Sequence, residues 1–222
     1  MLRAPSLSPM LLQRLAEPFN HDGFLFELKY DGFRALAFIV NRECRLVSRN
    51  KNQFKNFSTL AYEIGGLFPV TDVVLDGEVC CIDEQGRPQF NELLFRRGTP
   101  RFFAFDLLYA SGLDLRDRPL IERKERLRHL LEGIKSDSLL YVDHIESRGE
   151  DLFRHACDLD LEGIVAKHKH GKYVSEREQS TWFKIRNRNY SQREGREELF
   201  EREPAKLGPW DSCAKAAAAS AE

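Results

Sequence analysis

Phe24-Leu25-Phe26-Glu27-Leu28-Lys29-Tyr30-Asp31-Gly32-Phe33-Arg34-Ala35-Leu36-Ala37-Phe38-Ile39-Val40 decides how this chain is read. Two apolar runs with strand character, Phe24–Lys29 and Phe33–Val40, are separated only by Tyr30-Asp31-Gly32, so one strand ends in Lys-x-Asp-Gly and another begins at once. Asp-Gly is a frequent hairpin signal. Three fixed residue types at ordinary usage recur by chance in about one chain of this length in twenty. Taken alone, the segment therefore reads as a tight turn with an exposed lysine.

Working outward, the same apolar patterning predicts strands over Cys44–Ser48, Val73–Ile82, Phe102–Tyr109, Leu139–Ile145, Gly163–His168 and Thr181–Arg186. Helical spacing is found in Phe54–Ile64, in Ile121–Leu131 with Gly133 as C-cap, and in Glu150–Leu159. Strands outnumber helices without alternating regularly with them, which predicts an α+β fold of mainly antiparallel sheets flanked by helices. No repeat of 20–50 residues is visible. One domain is expected over residues 1–190. The charged, alanine-rich stretch 191–222 reads as a flexible tail.

Of 222 residues, 42% are apolar and 31% charged, with 34 basic against 35 acidic side chains, which excludes a disordered polyelectrolyte. The longest purely apolar run, Ala35–Val40, is far short of the ~18 residues a membrane helix needs, and no secretory h-region is visible, so no membrane partner is expected. Five cysteines without a C-x-x-C pair suit neither a disulfide framework nor a zinc ribbon, and a reducing cytoplasm is the expected location. The near-zero total conceals two basic stretches. Lys29–Ser58 and Gly163–Tyr190 each hold seven basic and two acidic residues, which suits a polyphosphate or nucleic-acid partner if they converge. Glycine-rich phosphate loops, G-x-S-x-G and H-E-x-x-H are absent from the sequence, so phosphate must be held by side chains. His168 and His170 lack a visible third ligand and read as part of the basic face.

The company the turn keeps changes its meaning. Lys29-Tyr30-Asp31-Gly32 is followed in order by Ser48-Arg49-Asn50, Leu75-Asp76-Gly77-Glu78, Phe103-Ala104-Phe105-Asp106-Leu107-Leu108-Tyr109, Glu162-Gly163-Ile164-Val165-Ala166-Lys167 and Trp182-Phe183-Lys184-Ile185-Arg186. From about Leu15 to Tyr190 the series resembles the adenylation domain of ATP-dependent DNA ligases in the covalent nucleotidyltransferase superfamily. The resemblance implies an ATP-grasp-like nucleotidyltransferase domain that acts on nicked double-stranded DNA with ATP and magnesium or manganese, in repair or recombination. It implies that Lys29 attacks the α-phosphorus, Glu27 reads the adenine amino group, and Arg34 and Glu78 hold ribose and phosphate oxygens. Arg49 would contact phosphate. Lys184 would neutralise the α-phosphate.

The residue types also make chemical sense on their own. An attacking amine must be neutral, whereas a free lysine titrates near ~10.4, so cations such as Lys184 and Arg186 or a bound metal are needed to lower that value. Glu162, with Asp31, is a candidate oxygen ligand for such a metal. Phe105 is the candidate base-stacking platform and Phe103, two residues earlier, the reserve. Lys167 is assigned to the surface.

Two departures accompany the resemblance. Arg186 stands where the family has a second lysine, and a guanidinium does not shed its proton. Only 38 residues follow Lys184 and 28 precede Lys29, from which no OB-fold domain is expected, a partner protein or domain is expected to supply its function, and ATP is expected over NAD as donor. An RNA ligase or RNA end-modifying nucleotidyltransferase is the alternative enzyme reading. A catalytically weak nucleotide- or DNA-binding remnant is the alternative outside enzymes.

Overall fold

The runs on either side of the Lys29 turn both form strands, yet they pair with different partners. In the computed structural model, which describes residues 7–68, 72–175 and 179–193, the chain begins with β1 (Gln13–Leu15), β2 (His21–Leu28), β3 (Phe33–Val40) and β4 (Glu43–Ser48). A 3-10 turn, Lys55–Phe57, leads into α1 (Ser58–Leu67), then β5 (Val73–Cys80), α2 (Phe90–Leu94), β6 (Arg101–Ala110), β7 (Leu113–Asp114) and α3 (Leu120–Glu132). The series ends with β8 (Leu139–Tyr141), β9 (Ile145–Ser147), α4 (Gly149–Asp158), β10 (Gly163–His168) and β11 (Trp182–Arg186). The site lies within the compact unit Met1–Tyr190. The expected tail falls, from residue 194 on, outside the described residues.

One sheet runs β1-β11-β10-β2-β9 and the other β4-β3-β5-β6-β7, with β8 added beside β6. All pairings are antiparallel except β1 with β11 and β6 with β8. The Lys29–Gly32 turn is thus a crossover between sheets, and the hairpin reading of Asp-Gly is corrected. Gly32 is required by close approach: a β-carbon there would lie 2.1 Å from the Val79 carbonyl oxygen and 2.7 Å from Cys80 Sγ.

The sheets stack face to face with helices outside, in the order α4, first sheet, second sheet, then α1, α2 and α3. Met10, Leu25, Leu36, Phe38, Val74, Leu108 and Trp182 fill the space between the sheets. Phe26, Ala156, Ile164 and Ile185 pack under α4. The largest cluster joins Ala35, Ala37, Ile39, Leu75 and Phe102 to Leu60 and Ile64 of α1 and Leu127 of α3. Each fully buried Leu, Ile or Phe among these contributes about 1.5–3 kcal/mol, so the central strands are fixed from both faces. This is the α+β architecture of antiparallel sheets flanked by helices that the patterning predicts. Among the described residues no helix is long and apolar enough to cross a membrane.

Three features differ from expectation. The apolar run Leu139–Ile145 divides, β8 joining one sheet and β9 the other, because period-2 patterning cannot reveal a change of partner. The helix expected over Phe54–Ile64 opens as the 3-10 turn and becomes α-helical only at Ser58, ending at Leu67. A register shift between β5 and β6 at Asp76/Gly77 leaves Phe105 as the additional residue, a bulge that breaks the alternation between Phe103 and Phe105.

Candidate active site

Between the sheets opens a cleft of about 200 Å³ whose wall carries Glu27, Lys29, Arg34, Arg49, Glu78, Phe105, Lys167 and Lys184, with Pro9, Leu11 and Leu12 closing one side. Seven different strands or their ends supply these groups. β2 carries Glu27 with Lys29 just beyond its end, Arg34 is the second residue of β3, Arg49 directly follows β4, β5 carries Glu78, β6 Phe105, β10 Lys167 and β11 Lys184. A larger hollow of about 510 Å³ between β7 and α3 shares no residue with the cleft.

Lys29 Nζ donates to Glu162 Oε2 at 2.6 Å, and its backbone N–H donates to the Gly163 carbonyl at 2.9 Å, so the turn is pinned to the start of β10. Gly163 has φ +133°, and a β-carbon there would lie 2.1 Å from the Ile185 carbonyl oxygen. Only glycine lets β10 approach β11 so closely beside Glu162. Arg186 Nε stands 3.6 Å from Glu162 Oε1, with the arginine side chain half exposed.

Glu27 is 2% exposed and lies between two ammonium groups, Lys124 Nζ 2.8 Å from Oε1 and Lys167 Nζ 2.5 Å from Oε2. Both approaches are off the hydrogen-bond axes, so these are ion pairs that leave Glu27 Oε1 and Lys167 Nζ with unfilled hydrogen-bonding directions. Burial alone would raise the Glu27 carboxyl, but Lys124 and Lys167 hold it below the usual carboxylate range. Lys167, assigned to the surface from sequence, is 2% exposed. Desolvation pulls its ammonium down to about 8, with Glu27 opposing the fall. Its Nζ lies 4.2 Å from the Phe105 ring centroid and 4.1 Å from that of Trp182, cation–π contacts that share the charge with the aromatic wall.

Arg34 uses Nε and Nη2 to bind both oxygens of Asp76, at 3.0 and 2.6 Å. The pair uses Nε and Nη2, and Arg34 lines the cleft. Its guanidinium carbon also lies 5.3 Å from the Phe105 ring centroid. Asp76 further accepts the Tyr173 hydroxyl at 2.7 Å, and that oxygen accepts the Met10 N–H at 2.9 Å. Asp106 and Arg123, both without exposure, form a bidentate pair, and Arg123 Nη1 donates to the Gly171 carbonyl, which anchors the segment leading to Tyr173.

Glu78 is pushed up to about 8, first by burial and then by the nearby carboxylates of Glu162 and Asp31, against the pull of Lys29 and Arg34. Such a carboxyl regains its charge when a cation approaches. Glu162 and Glu78 with substrate phosphate oxygens make a donor set that fits magnesium, which usually takes one or two carboxylates and keeps several waters. Asp31 does not line the cleft; it is 3% exposed and accepts the Tyr190 hydroxyl at 2.8 Å. Phe103 is not a free platform either, being 5% exposed and stacked on Tyr30 at 4.4 Å.

The cleft thus gathers seven of the ten residues singled out from the sequence, Glu27, Lys29, Arg34, Arg49, Glu78, Phe105 and Lys184. Glu162, Arg186 and Asp31 stand outside its lining. Sequence reasoning missed Lys124, Lys167, Asp76 and Tyr173. A signal existed for two of them: Asp76 interrupts an apolar strand, and Lys124 stands four residues after Leu120 and seven before Leu131, on the helix face that packs inward.

The family described as ATP dependent DNA ligase domain matches residues 9–186. The multifunctional non-homologous end joining protein LigD of Pseudomonas aeruginosa is 34% identical over 186 residues, covering 81% of this chain and 22% of that protein. The chain therefore spans about a fifth of that relative's length. The ligase domain of LigD from M. tuberculosis superimposes with a TM-score of 0.73 at 27% identity, covering 81% of this chain and 59% of that one. A mycobacterial DNA ligase D complexed with ATP and MES gives 0.70, also at 27% identity, over 82% and 60%.

Proposed function

The chain belongs to the family of ATP-dependent DNA ligase domains, and from that membership we propose that its cleft adenylates Lys29 and passes the AMP to the 5′-phosphate at a nick in double-stranded DNA, in repair or recombination. The observation that carries the reading is the position of Lys29 Nζ on the wall of a cleft that also holds Arg34, Arg49, Lys167 and Lys184. This combination brings a nucleophile and phosphate-binding charge to one place.

Attack requires the neutral Lys29 amine, so one ammonium proton passes to solvent before the bond forms. The amine lone pair then forms a bond to the α-phosphorus of ATP while the bond to the β-phosphate bridge breaks. Pyrophosphate leaves with that electron pair, and the nitrogen gives up its second proton, leaving a neutral-nitrogen phosphoramidate. Arg49 and Lys184 bind the phosphates as charge moves to the leaving group. Glu27 accepts the adenine amino group, and Phe105 lies under the base. Magnesium or manganese held by Glu162 and Glu78 would supply further neutralisation of phosphate charge. A 5′-phosphate oxygen of the nick then attacks the AMP phosphorus, Lys29 leaving as the amine with a proton from solvent; the 3′-hydroxyl oxygen gives its proton to solvent and attacks the 5′-phosphorus, and AMP leaves with the electron pair of the broken bond.

Incubation with ATP and magnesium followed by intact-mass measurement should show one added AMP, absent from Lys29→Ala. No adduct, or an adduct that survives the substitution, would remove the assignment. Comparing nicks in DNA with nicks in RNA duplexes then tests the substrate.

A further inference from the structure

We infer that Lys124, on α3 and outside the cleft lining, is a specificity-determining residue: it keeps Glu27 an ionised, acceptor-only group and so makes the cleft select a 6-amino purine over a 6-keto purine. This rests on the proposed base-reading role of Glu27 and deepens it.

The placement of Lys124 has no other evident purpose. A lysine side chain with 1% exposure is uncommon. Its ammonium donates to the Val142 carbonyl at 2.7 Å, lies 2.8 Å from Glu27 Oε1, and faces the Tyr141 ring at 4.4 Å from the centroid. The Val142 carbonyl takes one N–H, the Tyr141 ring faces the charge, and Glu27 is held as an ion pair off the hydrogen-bond axis. Val142 and Tyr141 fix the ammonium in place, and its charge is spent on the carboxylate. Lys167 approaches Glu27 from the cleft side and is shared with two aromatic rings, whereas Lys124 stands behind it. The other titratable groups near Glu27 are the Tyr30 phenol and the His144 imidazole.

The chemistry follows from donor and acceptor counting. An ionised carboxylate only accepts, and Glu27 Oε1 retains an unfilled acceptor direction. Adenine presents an amino donor at position 6 and guanine a carbonyl acceptor, so guanine would leave two buried acceptors facing each other. Without Lys124, only Lys167 opposes the burial that favours the protonated acid, whose O–H donates to the guanine carbonyl.

The test compares initial rates of AMP and GMP adduct formation on the full chain, with ATP and GTP as probes, from about pH 6 to about pH 9. Lys124→Met should lower the ATP-to-GTP rate ratio by about 10²-fold at the acidic end, within the range that polar mismatch supplies. The ratio should recover as pH rises and Glu27 ionises. The same change is expected for Lys124→Gln, which keeps a donor for Val142 without the charge, while Lys124→Arg should retain the original ratio. A folded Met or Gln variant with an unchanged ratio at every pH overturns the inference while leaving the adenylation reading intact. So does selectivity lost in Met but kept in Gln, or failure of both neutral variants to fold, because each would make Lys124 a packing residue. Absence of any ATP adduct on the unsubstituted chain is the separate failure of the adenylation reading.

Discussion

Arg34 binds both carboxylate oxygens of Asp76, a side chain with no solvent exposure, and so the arginine that faces the cleft is held from behind by a buried anion. Removing one member of such a pair leaves an uncompensated charge. Asp76→Ala is expected to destabilise the fold by about 3–5 kcal/mol. Tyr173→Phe, which removes only the hydroxyl between Asp76 and Met10, should cost about 1–3 kcal/mol. Urea unfolding of the two variants checks the order; equal losses would mean that the pair is not the principal support of Arg34.

Glu162 is expected to matter to rate more than to folding, since its 2.6 Å contact with Lys29 lies at the rim of the cleft. Glu162→Ala should slow adduct formation by roughly 10²–10³-fold, the size of losing one electrostatic stabiliser. Chelation of divalent ions should abolish adduct formation. Single-turnover measurement with radiolabelled ATP reads both, and an unchanged rate in the variant would take Glu162 out of the reaction.

Phe105→Ala should weaken ATP binding by ~1–3 kcal/mol, the range for base–aromatic stacking. Part of any loss arises because Lys167 forfeits one of its two ring contacts. Titration calorimetry on the folded variant decides; unchanged affinity would remove the stacking role. Phe103 is no substitute, being covered by Tyr30.

Glu78 gives a stability prediction with a definite sign. Its carboxyl is raised from 4.5 to about 8 in the folded chain, so between those values the native state holds a proton the unfolded state has lost. Stability from this group is fully present below 4.5 and is lost as pH rises through about 8. The difference in melting temperature between the unsubstituted chain and Glu78→Gln should therefore shift steadily across that window, in favour of the variant at the alkaline end. A difference that does not vary with pH would show that Glu78 is ionised throughout.

The strands and the place of Lys29 in the cleft were legible because they rest on local features: apolar alternation in Phe33–Val40, the Lys29–Gly32 turn, and charged groups at strand ends. What stayed hidden depends on which strand lies next to which. The Lys29 turn reads as a hairpin until β2 and β3 are seen in separate sheets, and Lys167 reads as surface until β10 is placed centrally between β2 and β11. Phe105 and Phe103 look equivalent by alternation because a bulge leaves no mark in composition. Lys124 shows its inward place on α3, but its partner Glu27 is far away in sequence. Local periodicity gives faces; only topology gives neighbours.

The parallel pairing of β1 with β11 bears on how the protein comes into being. Gln13 Nε2 donates to the Ser180 carbonyl, 167 positions away, and Leu15 is in register with Ile185. During synthesis Lys29 emerges early, but the strand carrying Lys184 and the edge that β1 joins are completed only when nearly all of this unit has left the ribosome. Non-local closure of this kind is slow, because loop entropy is lost before contacts reward it. The half-made chain holds β2 without β10 and β9, the strands that flank it, a period of vulnerability to aggregation. Nucleotide cannot shorten that interval, since the cleft that would bind it is among the last features to form.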